Sequence, residues 1–138
     1  MIEHAEALLM VKFLSLDYWK QVEETANSDE EFGIKARGFT ASFTFKATDK
    51  VEDLPPVYVK FDNGKVTELR ELREGEATDF TLEGLYDTWV GVNKGEMDAA
   101  NAIMTRELQF KGSMSAIIRY SKAFMRLFTV MQTVQVEY

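Results

Sequence analysis

An α+β fold, with helices gathered mainly over one face of a sheet, is what the order of two periodicities along the chain predicts. Helical spacing runs from residue 15 to residue 38, and apolar–polar alternation takes over between residues 39 and 82. Helical spacing returns beyond residue 84, interrupted by one short extended run at residues 108–112 that supplies a fifth strand. No internal repeat, low-complexity tract or linker divides the 138 residues, so a single domain over residues 1–138 is expected. A chain of that length buries roughly two thirds of the surface it exposes when unfolded, enough for a core without metal or disulfide staples.

The first nine residues mix apolar and acidic side chains without a stop signal and are expected to form a loose extension. Met10-Val11-Lys12-Phe13-Leu14 is an equally good start. Ser15 then caps a helix through Trp19 and Val22 that ends near Asn27. Ser28-Asp29-Glu30-Glu31 has the S-x-x-E form of a capping box and opens a second short helix, closed by Gly38. Phe39, Ala41, Phe43 and Phe45 alternate with Thr40, Ser42, Thr44 and Lys46, which makes a strand with one apolar and one polar face. Val57-Tyr58-Val59-Lys60-Phe61 alternates again. Asn63-Gly64 then marks a hairpin, because both central residues of such a turn take positive φ. Residues 66–72 return as its partner strand, although Val66, Leu69 and Leu72 are three apart. Residues 77–82 form a fourth strand with Phe80 and Leu82 on one face. Leu85, Trp89 and Val92 share the face of a helix that Gly95 ends, and Asp98 caps a short helix carrying Ala99, Ala100, Ile103 and Met104. Ser113 starts the longest helix, running to about Thr133.

Composition removes several classes of function. The hydrophobic fraction of 46% and the charged fraction of 28% are those of an ordinary globular protein. No run approaches the roughly 18 apolar residues of a membrane span. No charged-then-apolar leader opens the chain, and a cytoplasmic location is expected. Against 16 Lys and Arg stand 23 Asp and Glu, a formal charge of -7 that repels a phosphate backbone, so nucleic acid is not an expected partner. The charge is uneven: residues 106–138 carry five basic and two acidic side chains, and the first 105 residues carry the acidic excess. The chain has no cysteine, which excludes a disulfide scaffold, a thiolate metal site and a cysteine nucleophile. His4 is the single histidine and has no neighbouring group to orient it as a base. No phosphate-cradling glycine pattern or G-x-S-x-G occurs, and helix capping accounts for Ser113. Asp62-Asn63-Gly64 is too short for a calcium loop. No catalytic residue, metal or cofactor is expected, and the protein is not expected to be an enzyme.

The last helix stands out. At 100° per residue, Met114, Ile117, Ile118, Ser121, Phe124, Met125, Leu127, Phe128 and Met131 cover roughly half its circumference, and Arg119, Lys122 and Arg126 gather opposite. Packing on a sheet needs a stripe only about 100° wide. The apolar share is rich in methionine, which adapts to irregular shapes. Such a helix can cap a core, be buried in a homodimer or on a separately encoded partner, as in a module accessory to a lipid or acyl-metabolising enzyme, line a hydrophobic cavity, or meet an anionic membrane surface through its basic sector. Phe43, Phe45 and Trp89 are ordinary core positions that also converge between sheet and helices, where apolar pockets are commonly built.

The whole pattern resembles the sterol carrier protein 2 family in its short, free-standing prokaryotic form. The resemblance runs from Phe13-Leu14-Ser15-x-x-Tyr18-Trp19 through Asn27-Ser28-Asp29-Glu30-Glu31-Phe32, Phe43-x-Phe45 and the Asp62-Asn63-Gly64-Lys65 hairpin. It continues through Asp79-Phe80-Thr81-Leu82-x-Gly84, Trp89, Gly95-x-x-Asp98-Ala99-Ala100 and Leu108-x-Phe110-x-Gly112-Ser113-Met114. The resemblance implies a five-stranded mixed sheet, helices enclosing an apolar tunnel, and non-enzymatic binding or transfer of a fatty acid, acyl chain or sterol. Carried onto this chain, the lining is Phe43, Phe45, Trp89, Ile103, Met104, Phe110, Met114, Ile117, Ile118, Phe124, Phe128 and Met131. Arg119, Lys122 and Arg126 are the expected membrane-docking residues. The chain departs from the eukaryotic carriers by ending Val136-Glu137-Tyr138 in place of a Ser-Lys-Leu type signal, which favours a linear acyl chain over a sterol.

Overall fold

In the computed structural model, which describes residues 10–138, the stretches of helical spacing form helices, the last of them two, and the alternating stretches form strands, with the strand expected over residues 77–82 running from Phe80 to Gly84. The expected extension over residues 1–9, with His4, lies outside the described residues. Ser15 opens α1 (Leu16–Ser28) by accepting a hydrogen bond from the Tyr18 N–H at 3.2 Å. The second helix, α2 (Glu30–Lys35), is capped one residue later than the S-x-x-E pattern predicts. The Asp29 carboxylate accepts from the Phe32 N–H at 2.8 Å, while the Ser28 hydroxyl turns back to donate to the Glu24 carbonyl. Both residue types cap well, and Ser28 is still inside α1, so the aspartate takes the role.

A five-stranded mixed sheet follows, built from β2 (Ala41–Ala47), β3 (Val57–Asp62), β4 (Lys65–Glu71), β5 (Phe80–Gly84) and β6 (Leu108–Lys111) in the order β4-β3-β2-β5-β6. The β2–β5 pair is parallel and the other three are antiparallel. Asn63 and Gly64 turn the β3–β4 hairpin at φ 49° and 80°, as the dipeptide predicts. Pairing shifts by one residue between Lys60 and Phe61, because Lys60 opposes Glu68 whereas Phe61 opposes Val66. Thr67 is therefore the extra residue of a bulge, and this brings Val66 and Leu69 to the same face despite their spacing of three.

Phe43, Phe45, Val57, Val59, Phe61, Val66, Phe80, Leu82 and Leu108 are buried on the helix-covered face. The opposite face carries Ser42, Lys46, Tyr58, Lys60, Thr81, Glu83 and Gln109 and is largely solvated. Thr44 is its buried exception, bonded to the Thr78 hydroxyl at 2.7 Å under the loop before β5. Arg70 lies 4.0 Å over the Tyr58 ring on that face and binds Glu68 and Glu76. Its guanidinium holds the Glu76 carboxyl down to about 2.

The remaining elements differ from the sequence reading in instructive ways. In α3 (Tyr86–Asn93), Leu85 does not join Trp89 and Val92 on the core face; it is the extended cap residue and 55% exposed. Asp49 accepts from the Tyr86 N–H and starts the helix one residue after it. In α4 (Ala99–Met104), Ala99 and Ala102 face inward, and Met104 points away. The expected single helix over residues 113–133 is two, α5 (Met114–Arg119) and α6 (Ser121–Gln132), broken at Tyr120 with φ -105° and ψ 19°. Finally, β1 (Val11–Lys12) pairs in parallel with β7 (Val136–Glu137), a union of the chain's two ends that neither segment signals alone.

Candidate functional site

The space between sheet and helices is where the expected lining residues converge. Phe43 stacks on Phe45 at 5.1 Å and on Phe80 at 5.1 Å, since neighbouring inward positions of β2 and β5 present parallel rings. Phe124 of α6 closes over them edge-on, 5.7 Å from Phe43 and 5.0 Å from Phe110. Phe39 and Tyr120 extend the cluster at the α5–α6 break, 4.9 Å apart. At the other end, Trp19 of α1 stacks on Phe45 at 4.5 Å, and Trp89 meets the same ring at 6.5 Å. The Trp89 indole donates to the Lys46 carbonyl, which satisfies its one polar atom inside the core.

Three voids remain, each of about 10 Å³, room for a single water-sized sphere. One is lined by Phe43, Phe45, Leu82, Phe110, Phe124, Leu127, Phe128 and Met131 and is wholly apolar. A second lies between Trp19, Val22, Phe45, Val59 and Leu127, and a third between Trp19, Phe45, Leu54 and Trp89. The three small voids share the Phe45 ring, with Trp19 bordering the second and third and Leu127 bordering the first and second.

Seven of the expected lining residues, Phe43, Phe45, Trp89, Phe110, Phe124, Phe128 and Met131, lie on these voids. Ile103 and Ile117 are half-buried against the core. Met104, Met114 and Ile118 are 80%, 65% and 68% exposed and face away from it. The break at Tyr120 explains the two exposed positions on α5, because a helix that restarts at Ser121 no longer carries its apolar stripe onto the preceding turn. Sequence reasoning placed Leu127 on the apolar face of the last helix and left Trp19 and Leu82 out of the lining. Trp19 and Leu82 carried the right signal, an apolar side chain on the buried face of its element.

The three basic residues also divide. Arg126 is turned toward α2: its Nε and Nη2 bind the two Asp29 oxygens at 2.9 and 2.8 Å, and Nη1 lies 2.9 Å from Glu31. That hydrogen-bonded pair holds the Asp29 carboxyl down to about 2 and ties α6 to the start of α2. Arg126 is therefore a strut, in place of the expected docking residue. Arg119 lies 5.5 Å over the Tyr120 ring, and both it and Lys122 are exposed with no ion pair among the described residues. Among those residues, no group of acidic or histidine side chains is placed to hold a metal ion, and no helix is long and apolar enough to cross a membrane.

The model of the SCP-2 sterol transfer family matches residues 20–125. The chain belongs to that family. Its fold is that of a sterol carrier protein 2 crystal structure, at a TM-score of 0.75 and 21% identity, over 89% of this chain and 99% of the other. A conserved hypothetical protein of Thermus thermophilus, described as possibly a sterol carrier protein, matches at 0.72 and 20% identity over 92% of each chain. The ligand-free sterol carrier protein 2 of Yarrowia lipolytica matches at 0.53 and 15% identity, over 91% of this chain and 98% of that one. No curated protein matches the sequence. The matched span takes in the void walls on β2 and β5; it begins one residue past Trp19 and ends at Met125, partway along α6, before Leu127, Phe128 and Met131.

Proposed function

We propose that this protein is a non-enzymatic carrier that holds a linear acyl chain between the sheet and α6. The observation that carries the reading is the wholly apolar void between Phe43, Phe45, Leu82, Phe110, Phe124, Leu127, Phe128 and Met131, with two further small voids bordering the same Phe45 ring. Membership of a sterol transfer family supports the same reading. Burial of an acyl chain contributes about 0.8 kcal/mol per CH₂, so ten methylenes supply roughly 8 kcal/mol, and no polar motif is needed for affinity. Entry requires Phe45, Phe110 and Leu127 to move apart and join the voids. Methionine at 131, which adapts to irregular shapes, favours a flexible chain over a rigid ring system.

Native mass spectrometry of gently purified protein, together with titration by a fluorescent fatty acid, tests this. The expected results are a bound mass in the fatty-acid range and saturable one-to-one binding that tightens with chain length. A protein that carries no lipid and leaves the probe's emission unchanged would falsify the reading.

A further inference from the structure

The two edges of the sheet are finished differently. At the β4 edge, Asn27 of α1 holds both backbone groups of Val66: its Nδ2 donates to the Val66 carbonyl at 3.0 Å, and its Oδ1 accepts from the Val66 N–H at 2.8 Å. Lys65 donates to the Asn27 carbonyl at 2.7 Å, and the bulge at Thr67 breaks the regular edge beyond it. The β6 edge has no such cover. Among the described residues, β5 is the one strand beside β6, and no loop or helix backbone bonds to Leu108–Lys111. Arg106 at φ 64° and Gly112 at φ 145° turn the chain away at both ends and leave a short, clean edge between them.

The sequence along that edge, Glu107-Leu108-Gln109-Phe110-Lys111, is self-complementary. Laid antiparallel against a copy of itself about a two-fold axis through Gln109, it sets Glu107 opposite the partner's Lys111 and Leu108 opposite the partner's Phe110. Every contact of a two-fold interface is made twice, so this register supplies two opposite-charge pairs on the solvated face and two apolar pairs on the other. Glu107 is exposed, and the Lys111 side chain is 61% exposed while it also touches Glu83 at 2.8 Å. The three most exposed large apolar side chains of the described residues flank the same strand: Met104 at 80% before it, and Met114 at 65% and Ile118 at 68% after it. The two-fold brings the Met104 end of one chain beside the Met114 end of its partner, which covers apolar surface that has nothing to pack on within one chain.

We propose that the β6 edge is a homodimer interface, in which two β6 strands pair antiparallel and join the two five-stranded sheets into one. The blocked β4 edge limits the assembly to two chains, because each chain offers a single open edge and the contact closes on itself. The proposal is independent of the acyl-carrier reading, and it leaves the apolar face of α6 on its own sheet.

Analytical ultracentrifugation of the full chain from micromolar to millimolar concentration tests it, together with single cysteines placed in a chain that has none of its own. The parent is expected to sediment as a dimer. Gln109→Cys is expected to link two chains under mild oxidation, since residues directly opposite in antiparallel strands have Cα atoms about 4.5–5.5 Å apart, within disulfide reach. Glu71→Cys, on the blocked edge strand, is expected to stay unlinked. Glu107→Lys and Lys111→Glu each set like charges opposite one another across the axis, and each is expected to weaken dimerisation about tenfold. Mixing those two variants restores both opposite-charge pairs, so a heterodimer of parental affinity is expected. Lys111→Glu also faces Glu83 within its own chain, and the mixture therefore decides where a single variant does not. Three outcomes overturn the proposal: a chain that stays monomeric throughout, a Gln109→Cys variant that links no faster than Glu71→Cys, or charge variants that associate no better mixed than alone. A dimer that Phe128→Asp dissolves and the charge variants leave intact also overturns it, by moving the interface to α6.

Discussion

Helices α5 and α6 share one amphipathic pattern and meet opposite fates. Along α6, Ala123, Phe124, Leu127, Phe128, Val130 and Met131 are buried, and Arg126 bolts the outer side to Asp29 and Glu31. Along α5 nothing is buried and nothing is bolted. The period of a helix reports which side chains share a face; it does not report how far the neighbouring sheet extends beneath them. Here β6, the edge strand, spans only Leu108–Lys111, and α5 lies just past its end.

That contrast is sharpest in stability. Phe124→Ala is expected to cost about 3–5 kcal/mol in urea denaturation, because it empties the centre of the ring cluster. An effect below about 1 kcal/mol would mean that α6 is as loosely seated as α5. Gly112→Ala is next, at about 1–3 kcal/mol, since Gly112 combines a positive φ with close approach to the Phe80 ring. A neutral result there would mean that the start of α5 yields to an added side chain. Asp29→Asn keeps the cap acceptor and discards the charge facing Arg126. With its folded-state carboxyl held down to about 2 against an ordinary value of 3.8, Asp29 contributes stability that is present above about pH 4 and lost as pH falls toward 2. The thermal midpoint of Asp29→Asn should therefore lie below that of the parent at pH 7 and converge with it as pH falls through that window. A gap that persists at pH 2 would show that the strut acts by packing alone. The smallest expected effect is that of Ile118→Ala, within about 0.5 kcal/mol of the parent, as for an exposed position with no special role in stability. A larger loss would place Ile118 against the core.

Much of the fold was legible because it rests on local chemistry. The Asn63-Gly64 turn, the Ser15 cap and the alternation through Phe43 and Phe45 are each decided within a few residues. The candidate site was legible where a residue lay inside one regular element, as Phe43, Phe45, Phe110, Phe124 and Phe128 do. It was not legible where an element shifted or ended. The Ser28–Asp29 cap moved by one residue because adjacent side chains compete for the same backbone donor, and Leu85 was displaced because Asp49, distant in sequence, accepts from the Tyr86 N–H. The spacing of Val66 and Leu69 looked irregular until the bulge at Thr67 supplied the missing residue.

By itself, then, the sequence determined an α+β layer whose inner surface is built of phenylalanine, tryptophan and methionine, and a last stretch of chain without acidic residues from 108 to 136. These follow from period and composition, which act over one or two turns. Only the tertiary structure decided that three small voids meet at Phe45, that Arg126 faces Asp29, and that the long helix breaks at Tyr120. Each of those depends on which distant segment arrives opposite a side chain, and the closure of the sheet at β6 settles how much of the last helical stretch has anything to pack upon.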